Sequence, residues 1–296
     1  MPACHFVRLV YCRRVYQISV QSGHLFLREE PELESKGFIN RADKERMSKL
    51  APGLADWLRA VVQRKIGSIT HVNTRKPLVA LTFDDGPHPE FTPRILETLG
   101  EHGAKATFFM VGEAAHSQPD LVRRVTSLGH VIANHSWDHP AFPDISCQQR
   151  RLQLRACSRS LRPFEQRLFR PPFGKQSVSS RLDALCLGYE VVTWSLAIND
   201  WRERDPEVLL ASLTGGVRPG CIVLMHDTIF SPPAPHINHD REALLNALSL
   251  FLRRVEGTFR FVTLPELFRN GKIERSNWFT APVLRRSLGV GRLICR

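Results

Sequence analysis

Val79-Ala80-Leu81-Thr82-Phe83-Asp84-Asp85-Gly86-Pro87 decides how the rest of this chain is read. An apolar run with a β-branched start predicts a buried strand. The strand delivers two neighbouring carboxylates, Asp84 and Asp85, where Gly86-Pro87 turns the chain into a loop. Adjacent carboxylates repel unless a cation or a guanidinium lies between them. An Asp-Gly turn that merely closes a strand would account for this stretch alone. The residues that follow point further.

From Pro77 onward, strand-like and helix-like segments alternate. Apolar runs lie at 79–84, 107–111, 130–134, 167–171, 190–195, 221–225 and 259–263. Helical segments lie at 93–99, 119–128, 146–161, 177–187, 206–213 and 242–255. Several helical segments open on proline or close on glycine (Gly100, Gly129, Gly188), the usual punctuation. Strands alternating with helices predict a parallel sheet, and seven such units predict a barrel. Chemistry then belongs at the carboxyl ends of the strands.

Polar residues of catalytic type do follow the strand-like runs. After 130–133 comes Asn134-His135-Ser136-Trp137-Asp138-His139, whose two imidazoles four residues apart can converge on one cation. A lone His-x-x-x-His is more often structural. Joined to a carboxylate from an earlier strand end, it becomes a His2Asp set. Arg170-Pro171-Pro172-Phe173-Gly174 forms a rigid turn after 167–169, Asn199-Asp200-Trp201 follows 190–196, and His226-Asp227 follows 221–225.

Taken together, Thr82–Pro87, His135–His139, Arg170–Phe173, Asp200-Trp201 and Leu224-Met225-His226-Asp227 resemble the polysaccharide deacetylase family. This group is built on the NodB homology domain and is also called carbohydrate esterase family 4. The resemblance runs over roughly residues 77–267. It implies a distorted (β/α) barrel and metal-dependent removal of acetyl groups from N-acetylated amino sugars in chitin-like polymers or peptidoglycan, hydrolysis of a carbon–nitrogen bond other than a peptide bond.

The resemblance also assigns roles. Asp85, His135 and His139 are similar to the family's metal ligands, for a divalent ion expected to be zinc, with cobalt, nickel and iron also accepted by such a set. Asp84 resembles the catalytic base, and Arg170 the residue that pairs with it. The backbone N–H of Phe173 resembles the oxyanion donor. His226 resembles the general acid, and Asp200 the group that holds it charged and aligned. Pro172, Trp201 and Leu224 correspond to walls of the substrate pocket. Two positions depart from the family pattern. Ala197 stands where an Asp is common, and Phe173 where a Tyr is common; a backbone donor survives the second change.

Two other function classes share parts of this set. A non-haem iron oxidase also uses two His and one carboxylate, but a second carboxylate, a clamping arginine and an acid histidine belong to hydrolysis. A non-catalytic glycan binder would be expected to have lost Asp84 or a ligand, and this chain has lost neither.

Composition sets the remaining expectations. The chain has 296 residues, is 43% hydrophobic and carries a formal charge of +12. Its arginines are scattered without interleaved aromatics, so no nucleic-acid partner is expected. Seven cysteines without a Cys-x-x-Cys pair give no disulfide or zinc-ribbon framework and lean towards a reducing compartment. Arg8, Arg13 and Arg14 interrupt the first twenty residues before a signal-peptide core can form, which makes a cytoplasmic location the default, with a cell-envelope or secreted location the alternative if the start of the chain is misassigned. No apolar run is long enough for a membrane span. Residues 1–76 are expected to form a mostly helical N-terminal extension, with Leu58, Val61 and Val62 on one helical face. Residues 77–268 would form the catalytic domain and 269–296 a basic tail. Among further histidines, His130 reads as a structural strand residue, and His88, His236 and His239 fall on predicted loops where contact with substrate is not expected; His236 and His239 flank the strand end of His226 across Pro232–Pro235, which leaves a rim role open to them.

Overall fold

The computed structural model describes residues 6–11, 14–21, 24–30 and 67–276. The chain divides into two compact units, Met1–Lys65 and Ile66–Arg296.

In the first unit, strands β1 (Phe6–Tyr11), β2 (Arg14–Gln21) and β3 (His24–Glu30) form an antiparallel sheet in that order. This corrects the expectation of a mostly helical extension for these residues. Tyr16, Ile18 and Val20 alternate with Gln17, Ser19 and Gln21, a period of two. Tyr11 pairs with Arg14 and Gln21 with His24 at the strand ends. The helix expected around 55–65 lies outside the described residues.

The second unit starts at β4 (Ser68–Asn73), ahead of the expected boundary at residue 77. The core strand is β5 (Leu78–Asp84), in which every residue is buried. Burial on both faces explains why it reads as a continuous apolar run rather than an alternating one. Further strands are β6 (Ala106–Met110), β7 (Val131–Asn134), β8 (Glu165–Phe169), β9 (Glu190–Val191), β10 (Leu196–Ala197), β11 (Ile222–His226) and β12 (Arg260–Phe261). Their order is β10-β11-β5-β6-β7-β8-β9, with β12 also paired to β5, and every pairing is parallel. The sheet curls into the distorted (β/α) barrel expected from the sequence. Strand β4 pairs with β13 (Lys272–Ser276) and bridges from Ile69 to Val192 and from His71 to Cys221, across the gap between the edges. Part of the expected basic tail is therefore a strand of this unit.

Helices α1 (Phe91–Glu101), α2 (Gly112–Ser117), α3 (Pro119–Ser127), α4 (Cys147–Leu161), α5 (Val178–Cys186), α6 (Pro206–Gly216), α7 (Glu242–Arg254) and α8 (Leu264–Phe268) fill the connections. The pleat of β5 separates two cores. Val79, Leu81 and Phe83 join the helices' apolar faces, including Ile95, Leu99, Leu210 and Phe251. Leu78 and Ala80 face the barrel interior with Phe109, Leu168, Trp194 and Leu224. Because side chains alternate along a strand, Thr82 and Asp84 continue the interior face upward. Cys157 and Cys221 are buried. Among the described residues no helix is long and apolar enough to cross a membrane.

Candidate active site

Strands β5 and β11 are in parallel register, with Asp84 directly beside His226. The last interior-facing residue of one strand and the last residue of the other thus arrive at the same height. Asp85 follows with a φ of 78°, a left-handed conformation that turns its carboxylate back over the barrel mouth. Ser136, His139, Phe173 and Asn199 also have positive φ, between 58° and 70°. All five of these non-glycine residues flank the same mouth, where strained backbone is most often found.

Asp85, His135 and His139 converge. Asp85 Oδ1 lies 3.3 Å from His135 Nε2 and 3.1 Å from His139 Nε2, and the two Nε2 atoms are 3.2 Å apart. All three residues are buried, with candidate ligand atoms within 4.8 Å of one another. His135 Nδ1 donates to the carbonyl of Arg170 at 2.7 Å, which fixes the tautomer and leaves Nε2 bare. Asp85 Oδ2 accepts from Phe230 N, while Oδ1 has no hydrogen-bond partner. Burial opposes ionisation of Asp85. His139 and His135 more than offset it and hold the carboxyl well below its usual range. A bare imidazole nitrogen and an unpartnered carboxylate oxygen, aimed at one point, fit a divalent cation.

Asp84 sits beside this cluster but is tied elsewhere. Its Oδ1 accepts from Arg170 NH1 at 2.6 Å, and the same nitrogen donates to Thr82 Oγ1 at 2.7 Å. Arg170 is wholly buried, with NH2 donating to Thr193 O and its guanidinium 4.1 Å from the centre of the Phe109 ring. Asp84 Oδ2 remains 3.8 Å from His135 Nε2. Across the mouth, His226 Nδ1 lies 3.0 Å from Asp200 Oδ1, and the His226 backbone N–H donates to Asp200 Oδ2 at 2.8 Å. Burial lowers the His226 pKa. The charge and hydrogen bond of Asp200, with Asp85 and Asp84 behind, reverse this and raise it to about 9.

Asp84, Asp85, His135, His139, Phe173, Trp201, Leu224 and His226 line one cavity of about 440 Å³. Arg170 and Asp200 stand behind its wall as partners of Asp84 and His226. Pro172 is buried beneath Phe173 and does not line the cavity. Phe173 places its ring 4.5 Å from that of His139. His236 lines the cavity, although contact with substrate was not expected of it; His239 does not line the cavity, and His88 Nδ1 accepts from the amides that open α1. His130 is structural: its Nδ1 accepts from Ala106 N.

Sequence reasoning missed Ile229, Ser231 and Ile237, which close the cavity from the loop after β11, and Trp194; Asn199, read from the sequence as following a strand-like run, also lines it. It also missed Arg241, fully buried behind Asp200. Only the Pro232-Pro233-Ala234-Pro235 run hinted that the loop was fixed. Asp227 has a packing role: its carboxylate accepts from Thr92 Oγ1 and lies over Gly86, and burial raises its pKa to about 7.

The polysaccharide deacetylase family model matches residues 71–192. A chitooligosaccharide deacetylase of Sinorhizobium fredii is 36% identical over 201 residues, 66% of this chain and 89% of that one. A peptidoglycan-N-acetylglucosamine deacetylase of Bacillus cereus is 34% identical over 200 residues, 67% of this chain and 70% of that one. The chain belongs to the polysaccharide deacetylase family. Among solved structures of this family, the Bc1960 peptidoglycan N-acetylglucosamine deacetylase, in complex with 4-naphthalen-1-yl-N-oxidanyl-benzamide, is similar with a TM-score of 0.61 and 32% identity. That match covers 69% of this polysaccharide deacetylase chain and 94% of the other.

Proposed function

We propose that the chain is a metal-dependent hydrolase that removes acetyl groups from N-acetylated amino sugars of a glycan. The observation that carries this reading is the placement of two proton-handling groups on either side of the Asp85–His135–His139 cluster. Asp84 is held by Arg170, and His226 is held by Asp200. A facial-triad oxygenase needs neither device, and a glycan binder needs none of the three. The named relatives, deacetylases of chitooligosaccharide and of peptidoglycan N-acetylglucosamine, agree with it.

A divalent ion held by Asp85, His135 and His139, zinc in this proposal, would polarise the acetyl carbonyl and acidify a water molecule. Asp84 takes the proton as that water attacks the carbonyl carbon, since its free Oδ2 faces the cluster while Arg170 fixes Oδ1. The carbonyl oxygen gains negative charge, for which the backbone N–H of Phe173 is the protein's donor. His226, protonated at neutral pH, gives its proton to the departing amine as the carbon–nitrogen bond breaks. Acetate and a free amino sugar result. Leu224 and Trp201 supply apolar walls for the acetyl methyl group.

The test is acetate release from N-acetylchitooligosaccharides by protein stripped with chelator and refilled with zinc or cobalt. Release that depends on metal and disappears in Asp84→Asn is expected. Absence of release from chitooligosaccharide and from peptidoglycan with every metal would overturn the reading.

A further inference from the structure

The opposite end of the barrel carries a second feature that deacetylation does not use. Between Asp144 and Glu165 the sequence has no acidic residue but five arginines: Arg150, Arg151, Arg155, Arg159 and Arg162. Two of these are spent. Arg150 Nε and Arg151 Nε both donate to buried Asp183, at 2.7 and 2.8 Å. The other three follow one another at i, i+4 and i+7 along α4 and its C-cap, so they share one face. All three are exposed, and among the described residues no carboxylate lies in ion-pair range of them. They line a cavity of about 350 Å³ together with Arg167, Leu187 and Tyr189.

The bland explanation is a solvated helix face whose last cations favour the helix dipole. It accounts for Arg159, in the last turn, and for Arg162 at the cap. It does not reach Arg155, more than a turn further back. Like charges at i, i+4 destabilise a helix, and an opposing anion would remove that cost. The neighbouring carboxylate Glu165, bonded to the lining residues Ser158 and Tyr189, is already committed. It accepts from Tyr189 Oη, Ser158 Oγ and Asn134 Nδ2, with Arg167 NH1 at 3.6 Å.

We propose that Arg155, Arg159 and Arg162 form a docking site for a linear polymer of phosphate groups. The backbone positions of the three arginines span about 10 Å along the helix axis, which suits successive charges of a chain better than one free ion. Every cation in the stripe is arginine, and guanidinium matches phosphate oxygens in pairs. A base-reading site would offer exposed aromatics for stacking. Tyr189 is instead buried, its hydroxyl spent on Glu165 and Arg167. The site lies near the start of β8, whereas Arg170 follows the end of that strand, so a docked polymer leaves the catalytic mouth clear. This inference goes beyond the deacetylase reading and stands independently of it.

The experiment measures binding of the full chain to labelled inorganic polyphosphate over a range of salt concentrations. Wild type is expected to bind with a steep salt dependence. Arg155→Gln/Arg159→Gln/Arg162→Gln should weaken binding about tenfold or more and lower the log–log salt slope by about 2, at roughly 0.7 per neutralised phosphate. Arg253→Gln/Arg254→Gln/Arg269→Gln, an equal charge change at exposed positions elsewhere, should retain wild-type affinity within about twofold. Equal loss in both variants would reduce the effect to net charge and overturn the proposal. So would no binding by wild type, equal affinity for polyglutamate, or competition by orthophosphate as effective per phosphate as polyphosphate. If the triple variant melts lower than wild type, Arg155→Gln alone keeps the test valid and should lower the slope by about 0.7.

Discussion

Arg241 and Asp200 form a buried pair: the NH1 of the fully buried guanidinium stands 3.4 Å from Asp200 Oδ2, while Oδ1 of the same carboxylate faces His226. Arg241 Nε and NH2 have no protein partner among the described residues. One carboxylate therefore serves two cations, and its loss has two separable effects.

In Asp200→Asn, His226 keeps its burial, which lowers its pKa, but loses the charge that raised it to about 9. Its pKa should then fall, and the alkaline limb of kcat/KM should move down from about 9. Arg241 is also left as an unpaired buried charge, at a cost of roughly 3–5 kcal/mol. Adding Arg241→Met should restore the melting temperature but leave the alkaline limb where Asp200→Asn put it. Recovery of both together would mean that Asp200 acts only as a structural support.

Asp84→Asn and His135→Ala should differ in metal content rather than in activity. Both should lose turnover, by about 10²–10⁴-fold for loss of a general base. Elemental analysis should find close to one equivalent of metal in the first variant and little in the second. Loss of metal from both would make Asp84 a ligand.

His130 provides a pH test of stability away from the site. Burial lowers its pKa from 6.5 to about 4, and the positive charge of Lys105 adds to this. The unfolded chain therefore binds one more proton than the folded chain between those values, so stability falls as pH drops from about 6.5 to 4. The expected contribution is on the order of 3 kcal/mol. His130→Gln should flatten that part of the denaturation profile. An unchanged slope would assign the acid sensitivity to other groups.

Gly86→Ala should destabilise the chain through Asp227. A Cβ at Gly86 would lie 2.1–2.4 Å from the Asp227 carboxylate, closer than any real contact. Relief requires shifting either strand end, at about 1–3 kcal/mol or more. Asp227→Ala in the same chain should recover part of the loss in melting temperature. No change on Gly86→Ala would show that the carboxylate swings away freely.

Much of this was legible because chemistry-bearing residue types stand at strand ends. Asp84, His135, Arg170 and His226 each follow an apolar run, and a parallel barrel gathers such ends at one mouth. Arg241 was not legible, since nothing local distinguishes a guanidinium buried against Asp200 from a solvated one at a helix start. Ile229, Ser231 and Ile237 depend on how a loop folds back, which long-range contacts decide: Asn238 N donates to Trp201 O. The strands at 6–30 were misread for a different reason. The period of two in 14–21 is short and opens on the charges of Arg13 and Arg14, whereas the apolar residues at 58, 61 and 62 repeat at helical spacing.

The five left-handed residues around the mouth bear on how this protein could be hardened against heat. Such positions each cost of order 1–3 kcal/mol, and Asp85 and His139 are two of the three candidate ligands. Glycine would relax the backbone at Ser136 or Asn199 without removing a proposed catalytic group. At Asp85 and His139 the same relief would erase the cation site. A campaign that selects only for melting temperature would therefore find some of its easiest gains in the catalytic centre, and would keep them by discarding the reaction.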